Sequence, residues 1–168
     1  WQAGDAEALY RACQDPVLHR WAPGLPHPYA RENATFFVSE QAPEWARAGT
    51  ALHLGIFDLD GLAGSVALNA LDEAAGTAEL GYWSAPWARG RRVTERAGRE
   101  LARWAFGAGL SRLDWTAAVG NHASRLTALR IGFRVIGIRP GPDKWLAALT
   151  PSDLTTPTAE VPDPVRRA

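Results

Sequence analysis

Three arginines, Arg89, Arg91 and Arg92, surround a glycine where an amphipathic helix is predicted to begin. The first N–H groups of a helix have no partner within the helix, and they carry the positive end of its dipole. Guanidinium groups bind phosphate through paired hydrogen bonds, and helix starts commonly bind phosphate too. Residues 89–94 therefore predict an anion site, in particular for a phosphate. The alternative is an exposed basic turn without a ligand.

A strand and a long helix are predicted to position this turn. Glu79, Gly81 and Trp83 alternate with Leu80 and Tyr82, which is the two-residue period of a strand. After the turn, apolar side chains recur at helical spacing and predict one buried helix face: Val93, Ala97, Leu101, Trp104, Ala105 and Ala108. The anion site thus lies at a strand-to-helix turn.

The other predicted elements form one domain over residues 1–150. Helices are predicted over residues 4–14 and 31–46, with an ordered loop over 16–30 between them. Strands follow at 52–57 and 62–70, joined by a hairpin turn at Asp60-Gly61. A strand at 113–119 should run parallel to the central strand, before a short helix and strands at 133–138 and 145–149. The proline-rich tail, 151–168, is predicted not to pack.

Composition limits the classes of function. The chain has 168 residues, 46% hydrophobic and 21% charged, as expected for one globular domain. Its formal net charge of zero argues against a general binder of nucleic acid or membrane surfaces. No apolar run is long enough to span a membrane, and no signal peptide is visible. With a single cysteine, Cys13, and no metal-ligand spacing of histidines, we expect no disulfide, no metal and a cytoplasmic location.

The turn resembles the acetyl-CoA motif of the GNAT superfamily of N-acetyltransferases. That motif, Arg/Gln-x-x-Gly-x-Gly/Ala, holds the cofactor pyrophosphate on main-chain amides. Arg89 matches its first position, whereas Arg92 stands in place of the first glycine and Thr94 in place of the Gly/Ala. Relatives also usually carry one more residue before the Thr-Glu pair, so Val93 should be rotated relative to Leu101 unless the helix start adapts.

Other segments are similar to the RimJ/RimL-like branch, the ribosomal-protein N-terminal acetyltransferases. They are Glu79-Leu80-Gly81-Tyr82-Trp83, Asn121-x-x-Ser124 with Gly132-Phe133 and Gly137, and Asp143-Lys144-Trp145-Leu146. The resemblance covers residues 4 to 150. It implies an α/β GNAT fold: a mixed, mostly antiparallel sheet with a splayed parallel strand pair and flanking helices. Because the chain starts at Trp1, the first strand of that fold is expected to be clipped.

The resemblance implies an enzyme that moves an acetyl group from acetyl-CoA to a primary amine by direct transfer in a ternary complex. The pantetheine arm would pair with Tyr82, Trp83 and Ser84. The pyrophosphate would lie on the turn, formed by Arg89, Gly90, Arg91, Arg92, Val93 and Thr94. Asn121 matches a side chain that contacts pantetheine, although asparagine is also a favoured N-cap, and both roles are compatible.

Two residues are candidates for the chemistry. Ser124 matches a position near the cofactor sulfur, where a hydroxyl can assist the leaving thiolate; a serine there is also unremarkable in a helix. Glu79 is the candidate to accept the amine proton through water, and the alternative is a solvated or ion-paired strand residue. Cys13 lies on a helix stripe and is interpreted as core.

The resemblance implies that the acceptor is an amine, either a protein N-terminus or a small molecule. Aromatic and histidine side chains are predicted to line its pocket, although they also serve as core anchors: Trp21, His27, Tyr29 and Trp145. A homodimer is left open. The competing hypothesis is a degenerate relative that binds acyl-CoA or a partner without turnover, which the departures at Arg92 and Thr94 favour. A P-loop protein is disfavoured because the turn lacks Gly-Lys-Ser/Thr.

Overall fold

The structure, a computed structural model, describes residues 1–139 and 143–155. The helices are α1 (Ala6–Ala12), α2 (Pro16–Trp21), α3 (Arg31–Phe36), α4 (Ala42–Arg47), α5 (Val93–Gly107), α6 (His122–Ile131) and α7 (Pro151–Thr155). A π-helical stretch, Phe37–Gln41, joins α3 to α4. The strands are β1 (Leu52–Asp58), β2 (Gly61–Asp72), β3 (Thr77–Ser84), β4 (Arg112–Ala118), β5 (Arg134–Arg139) and β6 (Lys144–Leu149).

The six strands form one mixed sheet in the order β1-β2-β3-β4-β6-β5. Every neighbouring pair is antiparallel except β3 and β4, which are parallel across the α5 crossover. That parallel ladder has only three residue pairs and ends at Glu79 and Asp114, beyond which the two strands separate. The mixed sheet with one splayed parallel pair confirms the predicted fold class.

Helices cover both faces of the sheet. On one face, α5 and α6 pack on apolar side chains that are almost fully buried, among them Leu68, Leu80, Leu113, Leu101 and Ile131. Burying each such side chain contributes about 1.5–3 kcal/mol. On the other face, α1 and the π-helical stretch enclose a second cluster around Leu9, Cys13, Tyr29, Val38 and the partly buried Trp83.

Helix α5 adapts to its short turn through one unusual backbone angle. Arg92, the residue before the helix, has a φ of 56°, in the left-handed region that favours glycine. Val93 and Leu101 are then both buried, so the helix face is restored although the turn is one residue shorter than the motif leads us to expect. The predictions for Trp104 and Ala108 are wrong, because the Trp104 side chain is 58% exposed and Ala108 is exposed too. Gly98 and Ala102 are buried instead, where α5 approaches Ile131 closely.

Two helices, α2 and α7, were not predicted from the sequence. Residues 16–30 were expected to be a loop, but Pro16–Trp21 is a helix, with Asp15 as its N-cap accepting a hydrogen bond from Leu18 N–H at 3.2 Å. Proline at the first helical position and aspartate before it are favourable start signals.

The expectation that the tail from residue 151 does not pack is wrong for Pro151–Thr155. These residues form a helix whose Leu154 contacts the main core, while Asp153 pairs with Arg134. The segment 140–142 and the tail from 156 onward lie outside the described residues. No helix in the described part of the chain is long and apolar enough to cross a membrane.

Candidate active site

The separation of β3 from β4 opens a cleft of about 250 Å³, which we call the fork cleft. Its walls are the facing edges of the two strands, residues 79–84 and 115–118, with α2 and the start of α6 at its ends. Because the β3–β4 ladder stops at Glu79, the backbone groups on this edge of β3 are open to a ligand. An extended molecule that hydrogen-bonds like a strand fits such an edge.

Glu79 lies at the point where the strands separate. Its carboxylate accepts a hydrogen bond of 2.8 Å from the Thr116 hydroxyl on β4. Both residues line the fork cleft and are partly buried. The strand alternation therefore correctly predicted that Glu79 faces away from the main core. The Thr116 hydrogen bond holds its carboxylate in one position.

Tyr82 and Ser124 connect β3 to the start of α6 on the other side of the cleft. The Tyr82 hydroxyl donates to the Ser124 carbonyl oxygen at 2.7 Å, and the Ser124 hydroxyl lies 3.5 Å from the Tyr82 oxygen. Burial raises the pKa of Tyr82 well above its ordinary value, so this phenol stays protonated. Among the described residues, the Ser124 hydroxyl has only this long contact, so it can turn its proton toward a ligand.

Asn121 caps α6. Its side-chain oxygen accepts a hydrogen bond from Ser124 N–H at 3.2 Å, and the residue also lines the fork cleft. The structural role that the sequence allowed for Asn121 is therefore present, and the side chain is also within the cleft where a cofactor contact was predicted.

The predicted anion turn lies at one end of the cleft. Among the described residues, no side chain caps the start of α5, so the N–H groups of its first turn are free for an anion. Arg89 and Thr94 line the cleft. Arg91 instead faces Asp58 at 3.0 Å and Asp60 at 3.2 Å, beside the β1–β2 turn.

Three other residues of the turn, Gly90, Arg92 and Val93, do not line the fork cleft. Val93 is buried beside Ala63 and Ala88. Gly90 has a φ of 77° and Arg92 a φ of 56°, which shape the turn. The Arg92 side chain is exposed, 3.8 Å from Glu95.

Arg89 is ion-paired with Asp15, the N-cap of α2. Burial acts to raise the pKa of the Asp15 carboxyl, but the hydrogen bond and charge of Arg89, with backbone N–H groups at the start of α2, outweigh it and hold that pKa below its ordinary value. The Asp15 side chain is only 8% exposed, whereas that of Arg89 is 37% exposed. The guanidinium is thus fixed at the mouth of the cleft.

The four residues predicted to line an acceptor pocket lie in different places. Tyr29 is buried and lines a second cavity, on the opposite side of β3 from the fork cleft. Trp21 lines the fork cleft itself. His27 is exposed and contacts His19, and Trp145 contacts His122 and Arg125. Neither His27 nor Trp145 lines the fork cleft or the second cavity.

The second cavity has a volume of about 220 Å³ and contains residues that the sequence did not single out. His53 and Asn69 line it, together with Cys13. His53 on β1 and Asn69 on β2 face the same side of the sheet as Glu79. Strand alternation in the sequence was the signal that could have indicated this. Burial raises the pKa of Cys13 to about 11, so its thiol is protonated at neutral pH. Within the described residues, no three His, Cys, Asp or Glu side chains cluster to hold a metal ion.

Comparisons with known proteins agree with this geometry. A putative ribosomal N-acetyltransferase, YdaF of Bacillus subtilis (strain 168), is 37% identical over 95 residues, which is 54% of this chain; the match spans only 52% of the length of that relative. The microcin C7 self-immunity acetyltransferase MccE, solved with acetyl-CoA and AMP, superposes with a TM-score of 0.80 at 25% identity, covering 88% of each chain. RimJ of Mycobacterium smegmatis, solved with CoA-disulfide, gives 0.80 at 25% identity, covering 93% of this chain and 82% of its own.

A protein family accounts for most of the sequence. Residues 1–134 match the family described as acetyltransferase (GNAT) domain. The match includes the hairpin, the splayed strand pair, the turn at Arg89 and the start of α6. The chain therefore belongs to the GNAT acetyltransferase domain family.

Proposed function

We propose that this chain transfers the acetyl group of acetyl-CoA to a primary amine, directly and within a ternary complex. One observation carries the proposal: the open edge of β3 leads to the uncapped start of α5. A strand edge suits the amide-containing arm of the cofactor, and a helix start with free N–H groups suits its pyrophosphate. The relatives solved with acetyl-CoA and with CoA-disulfide support this assignment.

The residues around the fork cleft fit this co-substrate. Main-chain groups of Tyr82, Trp83 and Ser84 would pair with the pantetheine arm, with Asn121 on the opposite wall. The pyrophosphate would lie on the backbone of residues 90–94, with Arg89 adding charge at the mouth. Arg91 would contribute its backbone, because its guanidinium is engaged by Asp58 and Asp60.

Acetyl-CoA supplies an activated acetyl thioester when it is bound. We assign Ser124 to donate a hydrogen bond to the sulfur as the C–N bond forms and the C–S bond breaks, which leaves the electron pair on sulfur. Glu79, held by Thr116, takes the amine proton through water. The raised pKa of Cys13 disfavours an acyl-cysteine intermediate at that residue and supports direct transfer.

The acceptor in this proposal is an amine, and the relatives indicate its broad class. YdaF is named as a putative ribosomal N-acetyltransferase, which is consistent with a protein amine. A cytoplasmic location fits such an acceptor.

Two measurements on the purified chain test the function. Isothermal titration with acetyl-CoA should show binding, and release of free thiol should follow when an amine from a broad panel is added. Thiol release that needs both acetyl-CoA and an amine supports transfer. Binding without release across the panel would instead support the non-catalytic alternative, and absence of binding would contradict the cofactor assignment.

A further inference from the structure

The second cavity adjoins the fork cleft across β3. Gly81, Tyr82 and Trp83 line both spaces, so a molecule in the second cavity is separated from the fork cleft by a single strand. At Gly81 that strand has no side chain. A Cβ atom built there would come within 3.0 Å of the Asn69 Nδ2 atom, so the absence of a side chain at Gly81 makes room for the Asn69 side chain.

A row of three residues forms the floor of the second cavity. His53 on β1 pairs with Ala67 on β2, which pairs with Gly81 on β3. Neighbouring strands lie about 4.8 Å apart, so the Cα atoms of His53 and Gly81 are roughly 10 Å apart across the sheet. Ala67 carries only a methyl group and Gly81 carries none, so these two residues leave room above the floor, and the Asn69 amide lies over Gly81.

The walls of this cavity are uncharged. Among the described residues that line it, none carries a carboxylate, ammonium or guanidinium group. Aromatic rings of Tyr29, Phe37 and Trp83 dominate, with Asn69 and His53 as polar groups. A charged substituent placed here would lose its hydration without gaining a counter-charge.

His53 is partly buried among aromatic rings at the edge of this cavity. Its ring packs against Phe37 at 5.7 Å and Trp45 at 4.9 Å between centroids. Burial lowers the pKa of His53, and the Asn69 side chain only partly opposes this effect. The Nε2 atom is buried and has no hydrogen-bond partner within the described residues. A buried polar atom without a partner is uncommon in a folded protein, and here it belongs to a residue that lines a cavity.

We propose that the second cavity binds the acceptor as a primary amine on an uncharged, apolar group, with the amine nitrogen donating a hydrogen bond to His53. This inference rests on the proposed function and names the substrate class of that same site. The apolar walls favour the unprotonated amine, which is the nucleophilic form. The bound amine would lie beside the strand segment that lines both the second cavity and the fork cleft, with the Asn69 amide next to it.

Matched amines test the substrate class. We expect 2-phenylethylamine to have a kcat/KM at least about tenfold above that of phenylalanine, which adds a carboxylate, and above that of 1,4-diaminobutane, which adds a second ammonium. Short peptides with a free N-terminal serine or alanine form the third arm. Preference for the charged amines or for the peptides would overturn the proposed class.

Two variants test His53. His53→Phe keeps a ring against Phe37 and Trp45 but removes the acceptor, and it should raise KM for 2-phenylethylamine about tenfold or more, because the amine donor is left unpaired. Its Kd for acetyl-CoA should stay within about twofold of wild type, because His53 does not line the fork cleft. His53→Gln, which restores an acceptor oxygen, should recover part of the loss.

His122→Phe is the control, because His122 is exposed and lines neither cavity. A wild-type KM in His53→Phe would overturn the inference alone. A wild-type chain that binds acetyl-CoA but acetylates no amine would overturn the proposed function, and this inference with it.

Discussion

Arg89 and Asp15 form an ion pair that joins the predicted phosphate turn to the start of α2. The aspartate has two tasks, since it also accepts the N-cap hydrogen bond from Leu18 N–H. The guanidinium is therefore partly neutralised before any phosphate arrives. Stability of the fold and affinity for an anion are coupled at this pair.

Asp15→Asn should separate these two effects. Asparagine is an equally good N-cap, so only the ion pair is lost, and we expect the free energy of unfolding to fall by about 1 kcal/mol or less. Acetyl-CoA should bind more tightly at low salt, because Arg89 is freed, and Arg89→Gln should weaken binding. Both changes in affinity should shrink in 1 M salt. Calorimetry at two salt concentrations measures them, and unchanged affinity in both variants would contradict the role of Arg89.

The stability of the pair should depend on pH in one direction. The pKa of Asp15 is lower in the folded chain than its ordinary value of 3.8, so its contribution is complete above that value and is lost as pH falls through the folded-state pKa. Urea unfolding of wild type and Asp15→Asn should therefore differ at pH 6 and converge at low pH. A difference that persists at the lowest pH at which both chains fold would rule out this linkage.

Ser124→Ala should lower kcat by about 10²-fold and leave acetyl-CoA affinity unchanged, because the hydroxyl acts on the leaving sulfur. The backbone N–H that Asn121 caps and the carbonyl that Tyr82 contacts are retained in this variant, so α6 should start normally. Ser124→Thr, which keeps a hydroxyl, is the matched control. Steady-state kinetics measure the effect, and full turnover by the alanine variant would remove Ser124 from the mechanism.

Glu79→Gln should lower kcat at least about tenfold without weakening acetyl-CoA binding, because an amide cannot take a proton from the amine. The amide oxygen still accepts the hydrogen bond from Thr116, so the geometry of the strand separation is preserved. Thr116→Val provides the comparison, because it removes that hydrogen bond but keeps the carboxylate. If Thr116→Val loses as much rate as Glu79→Gln, Glu79 acts through structure and not as a proton acceptor.

Arg92→Gly should be neutral or should stabilise the fold by up to about 1 kcal/mol. Glycine tolerates the φ of 56° found here but loses more backbone entropy on folding, so the two effects nearly balance. Arg92→Val should destabilise by about 1–3 kcal/mol relative to Arg92→Gly, because a β-branched residue is strained in the left-handed region. Urea midpoints compare them, and equal midpoints for glycine and valine would show that the backbone at 92 is not strained.

The backbone conformation of Arg92 explains how the turn keeps the shape of the motif although the motif glycine is absent. The motif expects glycine at this position, and the left-handed conformation found there is the one that glycine favours. Period-two and helical patterns placed β3 and α5, whereas Trp104 was wrongly predicted as buried because its helix face turns toward solvent. Local sequence gave no sign of the Arg89–Asp15 pair, which joins residues 74 positions apart.

Strand alternation could place His53 and Asn69 on the Glu79 face, but the second cavity itself could not be predicted from local sequence, for a similar reason. His53, Ala67 and Gly81 are separated along the chain and meet only because strand register aligns them. A small residue in a strand has no local signature of a cavity. The acceptor pocket was therefore predicted from three aromatic residues and His27, and of these four only Tyr29 lines this space.

The short ladder between β3 and β4 sets a conflict for protein engineering. Each further residue pair beyond Glu79 would add backbone hydrogen bonds and strengthen the sheet. It would also fill the opening in which we propose that the cofactor lies. A directed-evolution campaign that selects this chain for heat resistance alone would therefore favour variants with a longer β3–β4 ladder, at the expense of catalysis. Such a campaign needs an activity screen in every round.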